Sequence, residues 1–401
     1  MTKKLNFPRL RFKKDDGTDF PAWEQRKLGD VAKINMGQSP SSKNYTNNSK
    51  DFVLVQGNAD LKNGWVVPRV WTTQITKTAD PGDLIFSVRA PVGEIGKTAL
   101  PVVIGRGVAA IKGNEFLFQS FKLKQAQNFW KSLSAGSTFD AINSNELKNA
   151  DFWIPSEKEQ SKIGTFFQTL DTTITLHQKK LEHLKKLKKS LLQNMFPREG
   201  EIFPRLRFPE FTDAWEQRKL IDEIELFGGL TYSPKDVVPS PGSLVLRSSN
   251  VKDGEISLED SVYVLKGKAT STPVQLNDII VVVRNGSRSL IGKHAIVKTP
   301  LDNAVIGAFM TGIRTKQSDF ISVLMDSQAF KKAITENLGA TINQITGGML
   351  KQMVFLMPTS ETEKTAIGNF FRTLDDAISL HQRKLEKMQL LKKALLQQMF
   401  V

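Results

Sequence analysis

Few residues in this 401-residue sequence could do chemistry, and their spacing excludes most of what they could do. Gly93-Glu94-Ile95-Gly96-Lys97-Thr98 is similar to the end of a phosphate-cradling loop, but such a loop needs Gly five residues before its Gly-Lys pair, where Pro91 stands. The counterpart from Gly286 to His294 has one residue too many between its glycines, and His where a Mg2+-binding Ser or Thr belongs. Both stretches read as Gly-containing turns after a buried strand. The histidines are His177, His183, His294 and His381, three on helical stretches and one on a strand, so no His-x-x-x-His metal spacing forms. Gly-x-Ser-x-Gly is absent, as is any Pro-Pro dipeptide of the kind found beside the flipped-base pocket of an adenine methyltransferase. Without cysteine there is no thiol nucleophile, disulfide, Fe–S ligand or Cys-type zinc site. The expectation is a chain with no catalytic residue, no metal site and no cofactor of its own.

The remaining chemistry is cationic. Fifty-six Lys and Arg against 41 Asp and Glu give a net charge of +15, and the pI is near 9.7. That balance favours a polyanion such as nucleic acid or an acidic membrane surface, with a merely solvated basic surface as the alternative. Arg89, Lys97 and Arg106 in the first half, and Arg284, Arg288, Lys293 and Arg314 in the second, lie on or beside strands and turns. Arginine bridges guanine O6 and N7, and either cation neutralises a phosphate, so these seven are the expected DNA contacts. Six lysines between Lys179 and Lys189 could also face phosphates, although such residues commonly form the outer face of a coiled coil. No run of about 18 apolar residues occurs, and Met1 to Arg11 has no apolar leader core, so a cytoplasmic protein without a membrane segment is expected.

The elements that must position these cations are written twice. Phe7-Pro8-Arg9-Leu10-Arg11-Phe12 returns as Phe203-Pro204-Arg205-Leu206-Arg207-Phe208, and Ala22-Trp23-Glu24-Gln25-Arg26-Lys27-Leu28 returns from Ala214 to Leu220. Ile163 to Phe196 returns as Ile367 to Phe400, with 22 of 34 aligned positions identical. Between these copies the halves diverge and share only a grammar. Asp83 to Arg89 parallels Asp278 to Arg284, Gly96-Lys97 parallels Gly292-Lys293, Val103-Ile104-Gly105 parallels Val305-Ile306-Gly307, and Gly136-Ser137-Thr138 parallels Gly339-Ala340-Thr341. A period near 200 residues is a tandem duplication, far too long for a solenoid. Short β-type runs at Asp51 to Gln56, Asp83 to Val88, Gly242 to Leu246 and Asp278 to Val283, with helical stretches at Phe116 to Lys131 and Phe320 to Asn337, predict an α+β domain in each half.

The copied connectors carry a seam. Ile163, Phe167, Leu170, Ile174, His177, Leu181, Leu184, Lys188, Leu191 and Met195 alternate four and three apart, and Ile367, Phe371, Leu374, Ile378, His381, Leu385, Met388, Lys392, Leu395 and Met399 repeat the phase. Such a stripe predicts two rods of roughly 60 Å paired antiparallel, with one globular domain at each end and an internal pseudo-twofold. His177 and His381 sit on the seam, where a single polar residue commonly fixes register; a pH switch or ligand pair is the other chemistry open to them.

A variable domain, a near-copied helix, a second variable domain and the same helix again together resemble the specificity subunit of type I restriction-modification systems, across essentially the whole chain. The residues that carry the likeness are Ala22-Trp23-Glu24-Gln25-Arg26-Lys27-Leu28-Gly29-Asp30-Val31, Ile154-Pro155-Ser156-Glu157-Lys158-Glu159-Gln160 and Leu191-Leu192-Gln193-Asn194-Met195-Phe196, each echoed in the second half. The resemblance implies an N-terminal segment at 1–28, target recognition domains at 29–155 and 221–358, long helices at 156–199 and 359–401, and a repeat of the N-terminal segment at 200–220. It further implies a non-catalytic subunit whose two domains each read one half of a split, asymmetric sequence in double-stranded DNA. Its helices would act as a ruler and as the dock for two methyltransferase subunits, joined by restriction-translocase subunits. S-adenosylmethionine, ATP and Mg2+ would sit on those partners. The alternative is a protein scaffold that uses its coiled-coil helices and binds no DNA. One departure is Glu361-Thr362-Glu363-Lys364, which stands with an extra residue where the first half has Glu157-Lys158-Glu159-Gln160 and leaves the geometry of the second helix start open.

Overall fold

The computed structural model describes residues 7–134, 141–338 and 343–401, and the chain divides into two compact units, Met1–Gln178 with Arg383–Val401, and Lys179–Gln382. The parallel between Gly136-Ser137-Thr138 and Gly339-Ala340-Thr341 lies outside the described residues.

In the first unit the strand Leu84–Ser87 is buried at every position because apolar groups pack on both of its faces. Leu84 and Phe86 enter an aromatic core with Phe116, Phe121 and Trp130, while Ile85 enters a second core with Val55, Ile104 and Val108. The strand is central in a six-stranded sheet ordered Lys33–Met36, Val108–Lys112, Leu84–Ser87, Ile95–Lys97, Trp65–Val66, Leu61–Lys62. Five shorter strands form the second sheet, in which Phe52–Val55 and Val102–Ile104 pair in parallel.

The second unit uses the same frame. Ile279–Val282 takes the central place, between Met310–Arg314 and His294–Ile296, with Glu225–Gly228 at the edge. Ile279 and Val281 face one core, and Ile280 and Val282 face another shared with Leu246 and Ile306.

The copied words build the base of each unit. Glu24–Lys27 pairs antiparallel with Asp151–Ile154, and Glu216–Lys219 with Val354–Met357. Beside the first ladder, buried Trp23 meets Phe116 at 5.5 Å and Phe400 at 6.0 Å, while Phe116 and Phe400 stack at 5.2 Å. In the second unit Trp215 meets Phe196 at 5.6 Å, and Phe196 stacks on Phe320 at 6.3 Å. The Met-Phe that closes each long helix is therefore a core residue pair of the unit it reaches, which explains why those words are kept in both halves.

The long helices are Glu157–Asn194 and Glu361–Met399, 38 and 39 residues. Each starts in one unit and ends in the other. Within the first unit Phe167 lies 5.9 Å from Phe400 and Asp171 binds Lys392 at 2.5 Å, so the two helical segments run antiparallel. Within the second unit Lys188 binds Asp375 at 2.8 Å, and Leu184 and Met195 share a core with Ile367, Phe371 and Leu374, again antiparallel. Ile174, Leu181, Leu184, Leu374 and Leu385 are buried, whereas Leu170, His177, Ile378, His381 and Met388 are half-buried.

Two expectations change, and one open point closes. The stretch Phe116 to Lys131 is two helices, Glu115–Ala126 and Phe129–Ser134, because Asn128 turns the chain with φ +58°. Phe320 to Asn337 is likewise Ser318–Asp326 and Gln328–Asn337, divided where the Ser327 hydroxyl accepts from the Phe330 N–H at 3.2 Å. The second long helix starts as the first does. Arg11 grips buried Glu159 with bonds of 2.6 and 2.8 Å, and Arg207 grips buried Glu363 with bonds of 2.7 and 2.8 Å, so the extra residue is absorbed between strand and helix.

Candidate nucleic-acid interface

The cations divide into those already committed and those left free. Lys97 binds Glu115 at 2.6 Å and sits 4.9 Å and 4.7 Å from the ring centres of Trp65 and Phe118, so its charge is spent inside the first unit. Arg314 holds buried Asp278 through bonds of 2.9 and 2.7 Å, and this side-chain hydrogen bond raises the guanidinium above its ordinary pKa. Both are among the expected DNA contacts, and the structure places both in ion pairs within their own units. Lys112, which stands opposite Arg314's place in the first frame, reaches Asp80 at 2.7 Å and Asp83 at 3.8 Å.

Matching the two frames bond by bond corrects one parallel. The Ser87 N–H donates to the Glu94 carbonyl and the Val282 N–H to the Lys293 carbonyl, both at 2.8 Å. The turn glycine with positive φ is Gly93 at +100° in one unit and Gly292 at +84° in the other. Gly292 thus matches Gly93, and Lys293 matches Glu94. Lys97, which pairs with Leu84, matches Ile296, which pairs with Ile279. The shared Gly-Lys letters had suggested a register three residues away from the one the ladder sets.

Arg89 and Arg284 do match. Each follows the central strand, Arg89 bridging to Ala141 and Arg284 to Gln344. The Val88 N–H donates to the Gly107 carbonyl at 2.9 Å and the Val283 N–H to the Phe309 carbonyl at 3.0 Å. Around this common place the side chains differ. In the first unit exposed Arg89 and Arg106 line one cleft of about 150 Å3 with Ser39 and Gln56, and the Arg106 N–H donates to the Ser39 hydroxyl at 3.1 Å. Among the described residues neither guanidinium meets a carboxylate. In the second unit Arg284 lies over the exposed ring of Phe309 at 4.9 Å, and Ala308 stands where the first unit has Arg106. Arg288, bonded to the Leu338 carbonyl at 3.1 Å, and exposed Lys293 line a different cleft of about 730 Å3, opened where Ile334 faces Gly292 and the first unit has Trp130 against Gly93. Ser39, Gln56 and Phe309 escaped the sequence reading; each lies one to three residues beyond the end of a strand, Lys33–Met36, Phe52–Val55 and Ala304–Ile306.

Among the described residues no group of three or more His, Asp or Glu could hold a metal ion, and no helix is long and apolar enough to cross a membrane.

Duplicated α/β units, each closed by a copied strand pair and joined by two long helices, define a tandemly duplicated α/β class of protein. Residues 22–186 match the family model of the type I restriction modification DNA specificity domain. Over those residues the chain is similar to that DNA specificity domain. It is 32% identical over 203 residues to a putative type I restriction enzyme MjaX specificity subunit of Methanocaldococcus jannaschii, covering 48% of each chain. To the MjaVIII specificity subunit of the same organism it is 24% identical over 295 residues, 70% of this chain and 68% of the other. The chain spans about half the length of the first two curated relatives it matches, 48% and 57%. A crystal structure of a type I restriction-modification S subunit from M. genitalium shares the fold, with a TM-score of 0.71, 13% identity and coverage of 98% of this chain and 99% of that one.

Proposed function

We propose that this chain is a non-catalytic, sequence-specific DNA reader that takes a bipartite asymmetric target, one half per unit, and scaffolds the subunits that methylate and cut. The carrying observation is one strand-and-turn frame used twice, presenting uncommitted arginines amid different neighbours: Arg89 with Arg106 and Gln56 in one unit, Arg284 with Phe309 in the other. Arg288 and Lys293 remain candidates for flanking phosphate contacts. Double-stranded DNA is the partner of the two units. The helices would dock two methyltransferase subunits at equivalent places, a reading supported by exposed apolar residues that recur on both helices: Phe166 and Phe370, Leu176 and Leu380, Leu187 and Leu391. Restriction-translocase subunits would complete the complex, in the cytoplasm, and S-adenosylmethionine, ATP and Mg2+ belong to those partners. The test is binding of the full chain to random-sequence duplex across a salt series. A log–log slope of several charges is expected; salt-insensitive or absent binding would favour the protein-scaffold alternative.

A further inference from the structure

Two readers built on one frame but aimed at different base sequences can share only those contacts that carry no sequence information. Contacts to phosphate set register and orientation, and contacts to base edges specify. Resting on the reading above, we infer that Arg89 and Arg284, the matched pair, are backbone anchors, and that Arg106 and Gln56, whose places hold Ala308 and Arg247 in the second unit, read bases for the first half-site.

The matched pair fits an anchor. Each guanidinium leaves the end of the central strand, and each backbone is pinned by a β-bridge, so the charge is delivered at one fixed place in both units. Phe309 supports Arg284 from beneath its plane, in the position that Gly107 leaves bare in the first unit.

The pair whose side chains differ between the units fits a reader. Arg106 follows Gly105 and precedes Gly107, and a Cβ at either glycine would press on backbone: 3.3 Å from the Val55 carbonyl oxygen at Gly105, and 2.0 Å from the Gln56 carbonyl oxygen at Gly107. The segment bearing Arg106 is thus packed directly onto the segment bearing Gln56. The Ser39 hydroxyl fixes the Arg106 N–H at 3.1 Å. In the second unit Arg247 holds the place of Gln56: Gly105 donates to the Val55 carbonyl and Gly307 to the Leu246 carbonyl, and the N–H of the next residue donates to Asp60 at 2.8 Å in one unit and to Asn250 at 2.9 Å in the other. That Arg247 is tied to Asp260 at 2.9 Å. A guanidinium and a primary amide in one cleft are the side chains that make bidentate bonds to guanine and to adenine in the major groove.

The experiment selects bound sequences from a randomised duplex pool with the full chain and its variants. Arg106→Ala and Gln56→Ala should each flatten the selected motif at one or more bases of one half-site, with roughly ten- to hundredfold less discrimination there, and leave the other half-site unchanged. Arg89→Ala and Arg284→Ala should select the wild-type motif, bind specific and unrelated duplexes more weakly by a similar factor, and each lower the salt slope by about one. The lysine variants separate charge from geometry: Arg89→Lys should restore affinity, whereas Arg106→Lys should not restore base choice. A wild-type motif from Arg106→Ala and Gln56→Ala, or an altered motif from Arg89→Ala or Arg284→Ala, overturns the division. Failure of the unaltered chain to select any motif overturns the DNA-reading function itself, which is a separate result.

Discussion

Glu159 and Glu363 hold the same place at the start of the two long helices, each almost fully buried and each gripped by an arginine from the copied Phe-Pro-Arg-Leu-Arg-Phe word. They differ by one bond. The Trp215 indole N–H donates to Glu363 at 3.2 Å, whereas the Trp23 indole N–H is buried without a partner. Removing either carboxylate leaves a half-buried guanidinium without its acid, and Glu363→Ala also strands a buried indole N–H. Urea unfolding should therefore show Glu363→Ala destabilising the second unit by about 1 kcal/mol more than Glu159→Ala destabilises the first. The Lys188 cluster makes a pH prediction with opposite signs at two carboxylates. Burial pushes Asp326 up, but Lys188 and His294 outweigh it and hold its pKa below the ordinary value. That contribution is present above the unfolded pKa and is lost as pH falls through the folded one. Burial, with Asp326 adding to it, raises Asp375 despite Lys188, so Asp375 favours folding only while protonated, and this is lost as pH rises through its raised pKa. Thermal melts at pH 7 should show Asp326→Asn lowering the midpoint of the second unit and Asp375→Asn raising it, with the gain from Asp375→Asn fading toward about pH 4.

The long helices lie on their units through glycine. A Cβ at Gly368 would stand 2.8 Å from the Phe320 nitrogen and 2.9 Å from the Asp319 Cβ; at Gly164 the nearest atoms are the Glu115 Cβ at 3.0 Å and the Phe116 nitrogen at 3.2 Å. In an open helix Gly→Ala is favourable by up to about 1 kcal/mol. Here the added methyl meets backbone, and overpacking of about 1–3 kcal/mol opposes that gain. Gly368→Ala should lower the melting midpoint of the second unit more than Gly164→Ala lowers that of the first, and equal or raised midpoints would show that the helix slides to make room. The helices and central strands were legible because a seam of period 3.5 and a strand buried on both faces leave direct marks in the order of residues. The fates of the cations were not. Arg314 and Asp278 are 36 residues apart, Lys97 and Glu115 are 18 apart, and only the folded sheet, with a helix packed on it in the second case, brings each acid to its base. The Gly-Lys parallel failed for a related reason: chemically alike letters mark a turn, but the hydrogen bonds from Ser87 and Val282 set the register.

At the scale of the whole chain, the two helices carry matched polar locks: Lys188 with Asp375 in the second unit, and Lys392 with Asp171 in the first. Each lock takes one residue from each helix, so the register is fixed twice, and lengthening one helix alone sets the locks against each other. A heptad added to both, after Gln178 and after Gln382 where the chain passes between units, keeps the seam phase and preserves both locks. Seven residues lengthen a helix by about 10 Å, and duplex DNA rises 3.4 Å per base pair, so the unread gap between the half-sites should grow by about three base pairs. Each half-site should keep its own bases, because Arg89 and Arg284 lie at strand ends that the insertion leaves alone. Selection from a randomised duplex pool, or mapping of methylated sites in cells that supply the partner subunits, gives both quantities together. An unchanged gap would mean that the helices do not measure the DNA, and a changed half-site would mean that the two units do not read independently.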